Sequence, residues 1–162
     1  LENFLVNKAI IYENTDFGKT YLMVDSDLLK HSVFSIAAYF TIAHTAVDIS
    51  GLSQKKKRAA LGNYPGRDGL NFVSSYLIGQ LGRNDTYTSY DLTGKQILDE
   101  CYHAISLAAK VVGGRLLVLE CRECMFGNFY EKHGFKKLYD ELNSEKLYTL
   151  FKKIDFNEYW VK

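Results

Sequence analysis

The stretch from Thr93 to Glu120 constrains the fold of this chain more than any other. Ile97, Cys101, Ala104, Ile105 and Ala108 recur at helical spacing, Gly113-Gly114 then ends the helix, and the uniformly apolar run Leu116-Leu117-Val118-Leu119 follows at once. A run without polar alternation describes a strand covered on both faces, and such strands lie inside sheets with helices packed on them. Thr93 suits the N-cap of the helix, since its hydroxyl can accept from an otherwise unpaired first-turn amide.

The flanking segments add elements of both kinds. Phe4, Leu5, Lys8, Ala9 and Tyr12 have helical spacing, so Glu2 to Glu13 reads as a first helix closed by the turn from Asn14 to Gly18. Lys19 to Asp25 and Val33 to Ala43 are β-rich runs separated by a polar turn, which predicts an antiparallel pair. Phe72 to Leu81 is another strand, with the apolar centre Tyr76-Leu77-Ile78, and a polar loop from Gly82 to Leu92 carries it to the helix. Met125 to His133 reads as a last helix stopped by Gly134, a residue suited to a left-handed cap. Phe135 to Tyr139 and Leu147 to Ile154 then form a closing hairpin turning at Asn143-Ser144. The order predicts an α/β fold with a mixed sheet, its chemistry placed where the pairing direction changes.

Composition narrows the class. With 47% hydrophobic residues, 162 residues can bury the core of one domain, read as spanning 1–162. Twenty Lys+Arg against nineteen Asp+Glu leave a net charge of +1, without the general excess that accompanies sequence-independent nucleic-acid binding. The run Lys55-Lys56-Lys57-Arg58 reads as a solvated helix face or loop, or as a basic lip facing an acidic partner. No apolar stretch approaches the ~20 residues needed to cross a bilayer, so no membrane association is expected. Three cysteines do not make an even disulfide framework, and a reducing cytoplasm is the expected compartment. The chain opens Leu1-Glu2-Asn3, with no methionine and no leader, which suggests that a natural N-terminal segment has been removed.

Four features carry chemical meaning. The loop before Thr93 would aim backbone amides at a bound phosphate, with Gly94 permitting close approach and Lys95 adding charge. Cys121-Arg122-Glu123-Cys124 has the spacing of a redox pair or half a zinc site, but no second pair of ligands accompanies it, and neither a disulfide nor a metal is expected. His31, His44, His103 and His133 stand in four separate segments and read as surface or packing residues, His103 as solvent-exposed. In Asn128-Phe129-Tyr130-Glu131-Lys132-His133-Gly134-Phe135, both phenylalanines read as core and Tyr130 as a residue at the core's edge.

Taken in order, these pieces resemble the GNAT superfamily of acetyl-coenzyme A-dependent N-acetyltransferases. The strand Tyr76-Leu77-Ile78-Gly79-Gln80-Leu81, the helix opening Gly94-Lys95-Gln96-Ile97-Leu98, the strand from Gly114 to Glu120 and the segment Phe129 to Phe135 follow the family's sequence. The last closely matches its F-Y-E-x-x-G-F pattern, and the resemblance is firm over residues 72 to 140. Against the family's Q/R-x-x-G-x-G/A loop, with Gly94 at the final position, Ser89 and Leu92 replace the usual Gln or Arg and first Gly. Glu123 stands where an Asn is common, seven residues before Tyr130, and the family's first strand is missing ahead of the first helix.

The resemblance implies a GNAT fold, with a mostly antiparallel central sheet flanked by helices. It further implies direct transfer of an acetyl group from acetyl-CoA to a primary amine, without a metal. Leu81, Gly82 and Arg83 would pair with the pantetheine arm. Tyr90, Asp91, Leu92, Thr93, Gly94 and Lys95 would hold the pyrophosphate, and Asn128 would join the cofactor site. Tyr130 would protonate the departing thiolate. No carboxylate lies in Phe72 to Leu81 to act as base, which leaves a water relay or an acceptor amine of lowered pKa. The strand Tyr39-Phe40-Thr41-Ile42 and the basic connection after it also resemble the toxin-type GNAT enzymes that acetylate aminoacyl-tRNA, so tRNA, an antitoxin and a second copy of the chain stand as candidate partners. The altered phosphate loop leaves, as the alternative to an enzyme, a non-catalytic interaction module of the GNAT fold.

Overall fold

A computed structural model describes residues 2–155 of the chain. Six strands form one sheet in the order β1-β2-β3-β4-β6-β5. They are β1 (Lys19–Val24), β2 (Ile36–Asp48), β3 (Phe72–Arg83), β4 (Leu116–Cys121), β5 (Lys136–Lys137) and β6 (Tyr148–Lys153). The helices are α1 (Glu2–Asn7), α2 (Ala9–Asn14), α3 (Ser26–Lys30), α4 (Gln54–Leu61), α5 (Gly94–Val112) and the single turn α6 (Glu123–Met125). The architecture is the expected α/β fold with a mostly antiparallel sheet. Among the described residues no helix is long and apolar enough to cross a membrane.

The chain divides into two compact units, Leu1–Ala43 with Ile78–Ile105, and His44–Leu77 with Ser106–Lys162. In the first, β1 and β2 pair antiparallel from Lys19↔Ile42 to Met23↔Ala38, with an irregularity before Val24. Ala37 to Phe40 of β2 are buried consecutively, as are Ile97, Leu98, Cys101, Tyr102 and Ile105 along one face of α5. That face lies slightly round the helix from the expected one, since Ala104 and Ala108 are only half-buried. His103 is half-buried rather than solvent-exposed. The predicted first helix is broken at Lys8, whose φ of −122° leaves the helical region, into α1 and α2. Where a polar turn was expected, α3 forms because the Asp25 carboxylate accepts from the amides of Asp27 and Leu28 and caps it. β2 consequently starts at Ile36 rather than Val33, and runs on to Asp48.

The second unit is built on β4 and β6, antiparallel from Leu116↔Lys153 to Cys121↔Tyr148. Leu116, Leu117, Val118 and Leu119 are all buried, as a strand covered on both faces requires. One apolar cluster joins Leu116, Val118 and Phe151 to Val47, Ile49, Ala60 and Leu138. The closing hairpin is shorter than expected: Lys136 and Lys137 pair with β6, and the Leu138 amide adds a hydrogen bond to the Thr149 carbonyl oxygen at 2.8 Å. Its turn is held by Asn143, whose side-chain oxygen accepts from the amides of Glu145 and Leu147, each at 3.0 Å.

The basic run is helical, capped by Ser53, but it is not uniformly solvated. Lys57 is buried, and its amine donates to the carbonyl oxygen of Leu70 at 2.9 Å. Lys56 pairs with Asp140 at 2.9 Å, so Lys55 and Arg58 are the members left facing solvent. The net charge of +1 also hides a division. The first unit carries five Lys+Arg against nine Asp+Glu, and the second fifteen against ten.

Candidate active site

The expected site residues fall into two sets. Leu81, Gly82, Arg83 and Tyr90 to Lys95 belong to the first unit, Asn128 and Tyr130 to the second.

In the first set, β3 ends with Gly82 buried and with Leu81 and Arg83 half-buried. The following loop is braced across its ends, because Arg83 Nη1 donates to the carbonyl oxygen of Leu92 at 2.7 Å. At its tip Asp91 Oδ2 accepts from the Thr88 amide at 2.7 Å and from its hydroxyl at 2.8 Å. The Thr88 amide, the Thr88 hydroxyl and the nearby Arg83 charge hold the Asp91 carboxyl below the usual carboxylate range, against the opposing charge of Asp25. The Tyr90 amide donates to Thr88 Oγ1, while its side chain is 98% exposed. This segment is thus a backbone fixed by its own side chains that presents a tyrosine ring outward.

Thr93 caps α5 as expected, through a reciprocal box. Thr93 Oγ1 accepts from the Gln96 amide at 3.2 Å, and Gln96 Oε1 accepts from the Thr93 amide at 2.8 Å. Gly94 and Lys95 open the helix, at positions whose amides have no carbonyl one turn back to accept them. The Lys95 amine pairs with Asp99 one turn on, at 2.6 Å, so its charge is shared with a carboxylate. A 19-residue helix with a small first residue and forward-facing amides offers what a diphosphate group needs.

In the second set, the last helix is not continuous. α6 gives way to a π-helical stretch, Phe126–Tyr130, and then to a 3₁₀ turn, Glu131–His133. Gly134 ends it in the left-handed region at φ 82°, and the Phe135 amide returns to the Tyr130 carbonyl oxygen at 3.1 Å. The wide π turn changes which side chain is covered. Tyr130 is 8% exposed and Phe129 half-buried, the reverse of the order expected from an ordinary helix. The Tyr130 ring meets Phe129 and Phe135 edge-on, with centroids at 5.0 and 5.5 Å. Asn128 is exposed on the same stretch.

Glu123 accepts from the Tyr148 hydroxyl at 3.2 Å, and the Lys137 amine lies 3.5 Å from the centre of the Tyr148 ring. These contacts tie the start of the segment to β6. Cys121 is buried and Cys124 exposed. Burial, with the neighbouring Cys124 thiol, pushes Cys121 up to about 11, against the pull of Lys137, so it is a poor nucleophile at neutral pH. Cys124 should therefore be alkylated by iodoacetamide in the folded protein at least about tenfold faster than Cys121, as followed by peptide mass spectrometry. Equal rates would show that the segment opens. Among the described residues no three His, Cys, Asp or Glu side chains are grouped to hold a metal ion.

Sequence reasoning missed the meeting of Asp25 and Ser35 with Tyr87 of the loop. The cap pattern Asp25-Ser26-Asp27 signalled α3, but nothing local signalled that Tyr87 would reach it.

No protein-family model matches the chain, and no curated protein sequence does. Solved structures do match. A bacterial toxin has a TM-score of 0.72 at 14% identity, covering 94% of this chain and 76% of its own. The toxin AtaT, complexed with acetyl-methionyl-tRNAfMet, has 0.64 at 17%, covering 93% and 79%. A tyrosine-to-phenylalanine variant of AtaT, bound to the C-terminus of the antitoxin AtaR and to acetyl-CoA, has 0.62 at 16%, covering 94% and 78%. At these identities the likeness is one of fold, and the fold of this chain is the GNAT fold that its motifs resemble.

Proposed function

We propose that residues 1–162 act as one acetyl-CoA-dependent N-acetyltransferase domain that moves the acetyl group directly to a primary amine. The observation that carries this reading is that the F-Y-E-x-x-G-F match begins at the end of a π turn and runs through a 3₁₀ turn that a left-handed glycine closes, in a chain with the GNAT fold. The neutral acceptor amine attacks the thioester carbonyl, the C–N bond forms as the C–S bond breaks, and the thiolate leaves. Tyr130 supplies the proton to that thiolate, while the nitrogen gives up its extra proton to water, and water returns one to the Tyr130 phenolate. Gly94 and Lys95, heading α5, receive the diphosphate of the cosubstrate. Leu81, Gly82 and Arg83 at the end of β3 pair with its pantetheine arm. The chemistry of this donor set, amides at a helix start beside a small residue, fits an anionic diphosphate.

The unequal charge of the two units favours aminoacyl-tRNA as the acceptor. Fifteen Lys+Arg against ten Asp+Glu give the second unit a net positive charge that the overall +1 conceals, and Lys55 and Arg58 of α4 are exposed, a balance that favours a polyanionic acceptor. AtaT, which shares the fold, is known in complex with an acetylated methionyl-tRNA, and this supports the same acceptor class here. An antitoxin is proposed as the regulatory partner on the same ground, the AtaT variant bound to AtaR.

Calorimetry with acetyl-CoA tests the reading. The wild-type chain should bind it, and Gly94→Trp should weaken binding at least about tenfold with little change in melting temperature, because a bulky side chain would stand where the diphosphate approaches. Transfer of radiolabelled acetyl groups should then be seen with charged tRNA and not with the same tRNA deacylated. No heat and no thermal shift with acetyl-CoA would make the chain a non-catalytic interaction module instead.

A further inference from the structure

Three half-buried side chains from separate parts of the first unit meet at one hydroxyl. Tyr87, in the loop between β3 and α5, donates from its hydroxyl to Asp25 Oδ2 at 3.0 Å, and that tyrosine hydroxyl lies 2.8 Å from Ser35 Oγ at the entrance to β2. The other oxygen of Asp25 is already engaged, capping α3 through the Asp27 and Leu28 amides, each at 3.0 Å. One residue round the corner, Asn84 repeats the attachment, with its amide donating to Ala37 O and its side-chain Nδ2 to Ile36 O, both at 2.9 Å. The base of the loop is therefore tied to α3 and β2. Its far end is tied by Arg83 to Leu92 at 2.7 Å.

Solvent-facing connections are ordinarily more mobile than the elements they join, and this fastening restrains the loop. The loop leads directly into Thr93 and Gly94, so the position of the first amides of α5 depends on where the loop is held. The Asp25 carboxylate accepts three hydrogen bonds, which strengthens the bond from Tyr87 as a charge-assisted one. Ring and hydroxyl together can carry this role in Tyr87, whereas phenylalanine would keep only the packing.

We infer that Tyr87 is a positioning residue for the cosubstrate, acting through Asp25 and Ser35 to hold the loop in the arrangement that receives the diphosphate. The inference rests on the acetyl-transfer reading above, and it assigns to Tyr87 no contact with the reacting atoms. Loss of the hydroxyl should raise the KM for acetyl-CoA and leave the chemical step alone.

The test compares the wild-type full chain with Tyr87→Phe and with Asp25→Asn, which keeps an oxygen for the α3 cap but removes the second carboxylate oxygen. Amide exchange by mass spectrometry should show peptides covering 84–93 exchanging about tenfold faster in both variants, while β4 and β6 peptides are unchanged. The dissociation constant and KM for acetyl-CoA should rise about five- to twentyfold, with kcat within about twofold of wild type. Unchanged affinity in Tyr87→Phe, with wild type binding normally, overturns this inference alone, as does a fall in kcat at unchanged KM. A wild-type chain that takes up no acetyl-CoA overturns the acetyl-transfer reading, and this inference with it.

Discussion

Replacing Tyr130 with phenylalanine is expected to lower turnover by about 10²–10⁴-fold while leaving acetyl-CoA affinity close to that of the parent. The buried ring packs edge-on to Phe135 at 5.5 Å, and phenylalanine preserves that contact, so the variant should fold. Stability should change by no more than about 1 kcal/mol, the net worth of an ordinary hydrogen bond. What is removed is the proton. A phenol ordinarily titrates near pH 10, so at neutral pH it is a competent donor to a departing thiolate and a poor resting base. The measurement is kcat with a verified amine acceptor under conditions where chemistry limits the rate. Turnover within about threefold of the parent would reject Tyr130 as the acid and leave protonation to solvent.

The largest structural effect is expected at Gly114, and the adjacent Gly113 serves as its control. Both have positive φ, 103° and 73°, so an alanine at either site bears backbone strain. Their surroundings differ. A Cβ on Gly114 would lie 2.9 Å from Tyr76 Cε2, whereas one on Gly113 meets nothing within 4 Å. Tyr76 cannot readily give way, because it is 3% exposed, packs against the His44 ring at 4.6 Å and donates its hydroxyl to the Gly113 carbonyl oxygen. Gly113→Ala should therefore cost about 1–2 kcal/mol from strain, and Gly114→Ala about 3–4 kcal/mol once overpacking is added. Urea unfolding at a constant m-value checks both. Equal losses would mean that the Tyr76 ring shifts to make room.

How far the structure was legible in the sequence depends on the range of the interaction that decides each feature. Burial of Leu116 to Leu119 followed from their uniform apolarity, the Thr93 cap from the Thr-x-x-Gln spacing, and the left-handed end at Gly134 from the residue type. Each is settled within a few residues of chain, by side-chain hydrophobicity or by the absence of a Cβ. The F-Y-E-x-x-G-F segment likewise pointed to the GNAT fold through a short local pattern.

Other features are settled by partners far away along the chain. Nothing in Lys55-Lys56-Lys57-Arg58 marks the third member as the buried one, because its amine is satisfied by Leu70, thirteen residues on. The exchange of burial between Phe129 and Tyr130 comes from one widened turn, which shifts the phase of the helix against the residues packed on it, and hydrophobic spacing assumes a constant phase. Tyr87 meets Asp25 across 62 residues. Local pattern therefore determined the central strands, the long helix α5 and the glycine-ended turns, whereas tertiary packing chose which polar groups could be buried, because a buried polar group is tolerated only where another chain segment supplies its hydrogen-bond partner.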